Sequence, residues 1–185
     1  ASGFSGAGTV DVGAAEMVAR ERGRPPESVF ARWRQGAAVL RETLADGDPH
    51  QCVDWVAGQL SMRTLATTRL AECWIHTGDV AGAIGIGQPP TDRLEHIARL
   101  AWRTLPYAFG RTGRQLAGPV AFELKAPSGK RWDFVPETAP PLTVIEGAGA
   151  ELCLVAARRV DPASTALRGR GPDAAAVLEL VRTYA

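Results

Sequence analysis

The 185 residues carry 21 Lys plus Arg against 20 Asp plus Glu, a formal net charge of +1, and 45% of them are apolar. That length suits one medium domain or two small ones with a real core. The even charge leaves no electrostatic footprint for nucleic acid or an anionic membrane, and no apolar run reaches membrane-spanning length.

The opening "ASGFSGAGTV" reads as a flexible loop, and a segment preceding Ala1 is expected. A short helix is expected over Val12 to Glu21. A longer one follows in "RPPESVFARWRQGAAVLRETLADG", where Pro25 and Pro26 suit a helix start. Val29, Phe30, Trp33, Ala37, Leu40 and Leu44 make one apolar face of it, and Gly47 ends it. The segment "DGDPHQ" reads as a loop. Ser61 is the expected N-cap of a long helix to about Ile84, stopped by "GIGQPP". Thr91 or Asp92 then caps a fourth helix that Pro106 kinks or ends. Helices are thus expected over most of Pro26 to Leu105, with no paired strands among them.

The period changes after "GRTGRQLAG". "PVAFELKAP", "KRWDFV" and "PLTVIEG" read as a three-strand meander. A helix is expected over Ala148 to Arg159, a fourth strand in "STALRGR", and a last helix opened by Pro172 and Asp173. The fold class is α+β, with a helical region over 1–112 and a small α+β domain over 113–185.

The chemistry concentrates in "AECWIHTGDVAGAIG", Ala71 to Gly85. Residues three and four apart share one face of a helix, so Glu72, His76 and Asp79 form a polar stripe. Cys73, Val80 and Ile84 beside it look core-facing. A carboxylate and an imidazole at i and i+4 can converge on one divalent metal, and suit zinc, iron, manganese or nickel about equally. The competing reading is an intrahelical hydrogen bond on a solvated face. Asp79 is placed to orient His76 from behind or to solvate the helix end. Arg69 is placed to bind a carboxylate bidentately or to pair with Glu72.

The run "TTRLAECWIHTGDVAGAIG" resembles the hallmark helix of the mycothiol-dependent maleylpyruvate isomerase family, within the DinB-like four-helix-bundle superfamily, through Arg69-Leu70, Glu72, Trp74, His76, Asp79 and the small-residue ending "DVAGAIG". "FARWRQGAAVLRETL", "FELKAPSGKRWDF" and "GAGAELCLVAARR" extend the resemblance over roughly Val29 to Tyr184. It implies a DinB-like bundle, incomplete in this chain, followed by a small α+β domain. It also implies a divalent metal, usually zinc, held by Glu72 and His76 with a third His from an earlier helix, and a low-molecular-weight thiol such as mycothiol as cosubstrate. Arg69 and Asp79 are the candidate cofactor-binding residues. This chain has no stretch matching that third ligand, whose expected place is before Ala1. His50 reads as a solvated loop residue and His96 as a helix-surface or core residue.

A thiol bound at such a metal is deprotonated and strongly nucleophilic. Three function classes follow. The first is a metal- and thiol-dependent isomerase or S-transferase acting on a small molecule. The second is a metal-binding module without catalysis. The third is a repurposed, biosynthetic member that uses the bundle cavity without metal. Cys73 reads as core packing, and Trp74 and Trp102 as packing. "GIG" at Gly85 to Gly87 follows a helix rather than a strand, which fails the dinucleotide-binding pattern. Ser2 and Ser5 match no nucleophile elbow. Cys52, Cys73 and Cys153 read as reduced thiols, so a cytoplasmic protein is expected. The Ala-, Gly- and Arg-rich composition suits a high-GC actinobacterial source, and a homodimer is compatible with the sequence.

Overall fold

The computed structural model describes residues 7–55, 58–137 and 139–183. Ser2, Ser5 and Tyr184 lie outside the described residues. The chain divides into two compact units, Ala1–Ala66 and Thr67–Ala185, and the division falls within one helix.

The first unit holds α1 (Ala7–Glu21), α2 (Pro26–Asp46), β1 (Cys52–Trp55), β2 (Gly58–Ser61) and the start of α3 (Met62–Ala83). Pro26 opens α2 where its missing N–H costs nothing. Gly47 leaves the helix in extended backbone, its N–H still bonded to Thr43 O at 3.1 Å. The expected apolar face of α2 is present but not covered: no residue of α2 is buried, and Phe30 and Trp33 are 56% and 62% exposed. Those two rings stack on each other with centroids 5.8 Å apart.

The expectation of helices without strands fails at residues 52–61. β1 and β2 form an antiparallel hairpin with Val53 opposite Leu60 and Asp54 opposite Gln59. The Gln59 amide donates to the Asp54 carboxylate at 3.1 Å across the pair. Val53 and Leu60 give the hairpin its apolar cross-strand contact, the unit of sheet stabilisation. Ser61 ends β2 and caps α3 as expected: the Thr64 N–H donates to Ser61 Oγ at 3.3 Å.

The second unit continues α3 and adds α4 (Leu94–Arg103), α5 (Leu105–Gly110), β3 (Val120–Lys125), β4 (Arg131–Phe134), β5 (Thr143–Ala148), α6 (Gly149–Ala156), β6 (Arg168–Arg170) and α7 (Ala174–Leu180). α4 buries Leu94, Ile97, Ala98, Leu100 and Ala101 along one face. Asp92 does not cap it through its side chain. That carboxylate accepts from the Ser128 N–H at 3.1 Å and the Ser128 hydroxyl at 2.6 Å in the β3–β4 turn, which holds it below its ordinary pKa. After a break at Thr104 the separate helix α5 begins at Leu105, with Pro106 in its first turn.

The sheet order is β4-β3-β5-β6. β3 pairs antiparallel with β4, but β5 lies parallel to β3, with Phe122 beside Ile145. The strands therefore do not form a meander. The register puts Glu123, Lys125, Arg131, Asp133, Glu146 and Arg168 on one face of the sheet and Phe122, Leu124, Trp132, Phe134 and Ile145 on the other. One face is therefore charged and the other apolar, the pattern of a sheet covered on one side. β4 alternates exposed and buried and lies at an edge. β4 follows β3 through a tight turn, whereas residues 135–142 separate β4 from β5, long enough for the chain to reach the far side of β3.

Phe109, Phe122, Leu124, Ile145, Leu152, Val155 and Val177 form the core between sheet and helices. The Trp102 indole N–H donates to Val120 O at 2.7 Å, fixing α4 on β3. Gly149 lets α6 start against the sheet, since a Cβ there would stand 2.4 Å from the Trp132 ring.

Candidate functional site

The stripe forms on the part of α3 that belongs to the second unit. Glu72 Oε2 lies 3.2 Å from His76 Nε2, and His76 Nδ1 lies 3.3 Å from Asp79 Oδ2. The imidazole thus stands between two carboxylates, one at each ring nitrogen. Helical spacing of four and three residues places them so.

Asp79 is itself held. Arg159 Nε donates to its Oδ1 at 2.6 Å and an Arg159 terminal nitrogen to its Oδ2 at 2.7 Å, a bidentate pair. The Arg159 guanidinium, with a smaller contribution from His76, lowers the Asp79 carboxyl from 3.8 to about 2. Asp79 in turn raises the Arg159 pKa.

Arg159 reaches Asp79 because α6 ends earlier than the expected Arg159. The Arg158 N–H bonds Val155 O and the Arg159 N–H bonds Leu154 O, both at 2.9 Å. This is a helix-closing turn whose left-handed position, usually glycine, is Arg158 at φ 60°. The turn redirects the chain so that Arg159 leaves the helix line. Sequence reasoning missed Arg159; the only signal was a pair of arginines closing an apolar helix, which reads equally well as dipole compensation.

α3 ends at Ala83 and the chain turns away at Gly85, whose φ of +71° is the left-handed conformation glycine takes without strain. The Ile86 N–H then bonds back to Ala81 O at 2.8 Å. The following loop turns along α3 and lays Gln88 over Gly78, where a Cβ would stand 2.7 Å from the Gln88 amide oxygen. Loop, α3 and α6 enclose a pocket of about 340 Å³, lined among others by Trp74, Gly78, Asp79, Gly82, Gln88, Leu154 and Arg159. Trp74 packs on the core as expected and also lines this pocket.

The core-facing assignment beside the stripe is overturned. Cys73 is exposed, and Val80 and Ile84 are 63% and 65% exposed. The inward face of this part of α3 instead carries Thr68 and Ala71. The buried thiol is Cys153 on α6, which donates weakly to Leu94 O at 3.5 Å and whose pKa burial pushes far up. Arg69 is half-buried on α3 one turn before Glu72, while His50 and His96 are both exposed.

The donor set fits two corners of a metal site. Two donors at about 2.0–2.1 Å from a tetrahedral zinc stand about 3.3 Å apart, which matches Glu72 Oε2 and His76 Nε2 at 3.2 Å. Asp79 cannot be the third, because it faces the opposite ring nitrogen and both its oxygens are taken by Arg159. Among the described residues no group of three His, Cys, Asp or Glu converges on one point. None of the described helices is long and apolar enough to cross a membrane.

A helical segment bearing an acid–imidazole–acid stripe, followed by an α+β layer that clamps the stripe through an arginine, defines the class. Residues 3–81 match the model of the mycothiol maleylpyruvate isomerase N-terminal domain. The chain is also 32% identical over 180 residues to uncharacterized proteins from two Mycobacterium tuberculosis strains, CDC 1551 / Oshkosh and H37Rv, an alignment spanning 97% of this chain and 68% of each relative. The chain belongs to the mycothiol maleylpyruvate isomerase family.

Proposed function

We propose that the protein is a thiol-dependent isomerase or S-transferase of the mycothiol type, in which Glu72 and His76 supply two donors to one divalent metal, zinc foremost. The observation that carries this reading is the imidazole between two unlike carboxylates. Glu72 faces Nε2, whereas Asp79 faces Nδ1 with its charge already matched by the bidentate Arg159 pair. An Nδ1–H donated to Asp79 leaves the Nε2 lone pair directed toward Glu72, the tautomer a metal-bound histidine needs. Arg159 keeps Asp79 ionised and in place for that bond. Bound there, the metal would hold a thiol cosubstrate as its thiolate.

Such a thiolate would be the nucleophile for reversible addition to an activated double bond, with the activating carbonyl taking up the π electron pair, the resulting single bond free to rotate, and return of the pair expelling the thiolate. If the substrate carries a leaving group instead, the same nucleophile gives S-transfer. A third donor from beyond the described residues completes the site in this reading, and a cytoplasmic location provides the reduced thiol.

Metal analysis of the full-length protein beside four variants tests it. Glu72→Ala and His76→Ala are each expected to weaken metal binding by at least about 10–100-fold, the range seen even for partners of ligands. His50→Ala and His96→Ala should retain it. Wild-type protein that holds no metal after reconstitution with zinc, nickel, manganese or iron would reject the metal and favour the repurposed, metal-free use of the cavity.

A further inference from the structure

We propose that the pocket behind Asp79 receives an uncharged, largely apolar body of the substrate, with Gln88 as its hydrogen-bonding contact. The proposal rests on the functional reading above and names the substrate class for the same site. Its floor is bare helix: Gly78 and Gly82 lie one turn apart on α3 and neither brings a side chain into the space. A Cβ on Gly82 would meet nothing within 4 Å, so the volume there is open. Trp74, Ile86 and Leu154 make the walls apolar.

Charge decides the ligand class. Arg159 is the one cation among the lining residues, and it is already committed: two of its nitrogens bind Asp79 and the third donates to Ala157 O at 2.8 Å. The Asp79 carboxylate, the one anion of the lining, is matched by the same pair. A dianionic ligand entering this space meets no uncompensated cation, so nothing in the lining replaces the hydration it gives up. An apolar ligand gains from burial against the tryptophan and aliphatic walls. Gln88 makes no hydrogen bond to the protein among the described residues and supplies both a donor and an acceptor beside the Gly78 backbone. Asp79 lines the pocket and also bonds His76 Nδ1, which ties the pocket to the stripe through that carboxylate.

Saturation-transfer NMR on the full-length protein tests this with two probes, neutral 2-naphthamide and the dianion maleate. 2-Naphthamide should bind. Gly82→Leu, which replaces the poorest non-proline helix former by a good one, should weaken that binding at least tenfold. Ala150→Leu should do the same from the opposite wall, and Gln88→Ala should weaken it by about two- to tenfold, the loss of one net hydrogen bond. Gly36→Leu, on α2 where an added Cβ also meets nothing, should leave it unchanged. Maleate should neither bind in this pocket nor displace the amide. A thermal melt checks that each variant is folded. Failure of 2-naphthamide to bind, equal binding in folded Gly82→Leu and Ala150→Leu, or displacement by maleate would overturn the proposal. The readout needs neither metal nor turnover, so a protein without metal leaves this result standing and a failed probe leaves the metal reading standing.

Discussion

α2 and α4 carry the same kind of sequence pattern and meet opposite fates. Both are amphipathic, with apolar residues recurring at three and four positions. α4 buries five residues of its face, Ile97, Ala98 and Ala101 completely, while α2 buries none and leaves Phe30 and Trp33 mostly exposed. Periodicity therefore specifies which residues share a face. It does not specify that a second layer lies opposite. α4 has such a layer in the sheet and α6, and Trp102 bonds it to β3.

The contrast is tested first where the expected effect is largest. Phe122→Ala in the centre of β3, fully buried, should cost about 3–5 kcal/mol in chemical denaturation. The cysteines come next. A thiol reagent should label Cys73 in the folded protein and reach Cys153 only on unfolding, because one thiol is exposed and the other is buried with its thiolate disfavoured. Protection of Cys73 would restore the core-facing assignment that its neighbours suggested. Trp33→Ala should be the mildest change, about 0.5 kcal/mol, as for other surface substitutions. A loss comparable to that of Phe122→Ala would mean that α2 is covered in solution and that the contrast between the helices is false.

The Asp79–Arg159 pair sharpens the same contrast within the second unit through pH. The Asp79 carboxyl titrates lower in the folded chain, about 2 against 3.8, so the folded state binds fewer protons there. Its stabilising contribution is complete above about pH 4 and is lost as pH falls through about 2. In metal-free protein, carboxyl NMR should place the Asp79 midpoint near 2. A midpoint near 3.8 would mean that Arg159 does not hold it.

Much of the architecture was legible because local signals agreed with tertiary demands. Pro26, Ser61 and Gly47 mark helix ends in both sequence and structure, and the alternation in "VAFELK" and "RWDF" marks two strands. The hairpin at 52–61 was not legible, because it has no Asn-Gly or Asp-Gly turn and stands beside a strong helix cap. The parallel seating of β5 was not legible from charge, because β3 carries Glu123 and Lys125 on the same face as Arg131 and Asp133 of β4. At the site, helical spacing brought Glu72, His76 and Asp79 together correctly. Arg159 could not be found that way, because its contact with Asp79 spans 80 residues and depends on a left-handed turn at Arg158. Cys73 failed for the reason α2 did: neighbours on a helix face do not decide whether anything covers that face.

The central claim is that His76 presents Nε2 to a metal beside Glu72 while Asp79, held by Arg159, keeps the proton on Nδ1. Zinc titration of full-length protein labelled with ¹⁵N-histidine tests it most directly. The account predicts that Nε2 of His76 moves to the shift range of a metal-bound imidazole, that Nδ1 retains a proton bonded toward Asp79, and that His50 and His96 do not respond. An unchanged His76 spectrum at saturating zinc, or a His76 bound through Nδ1, would contradict it.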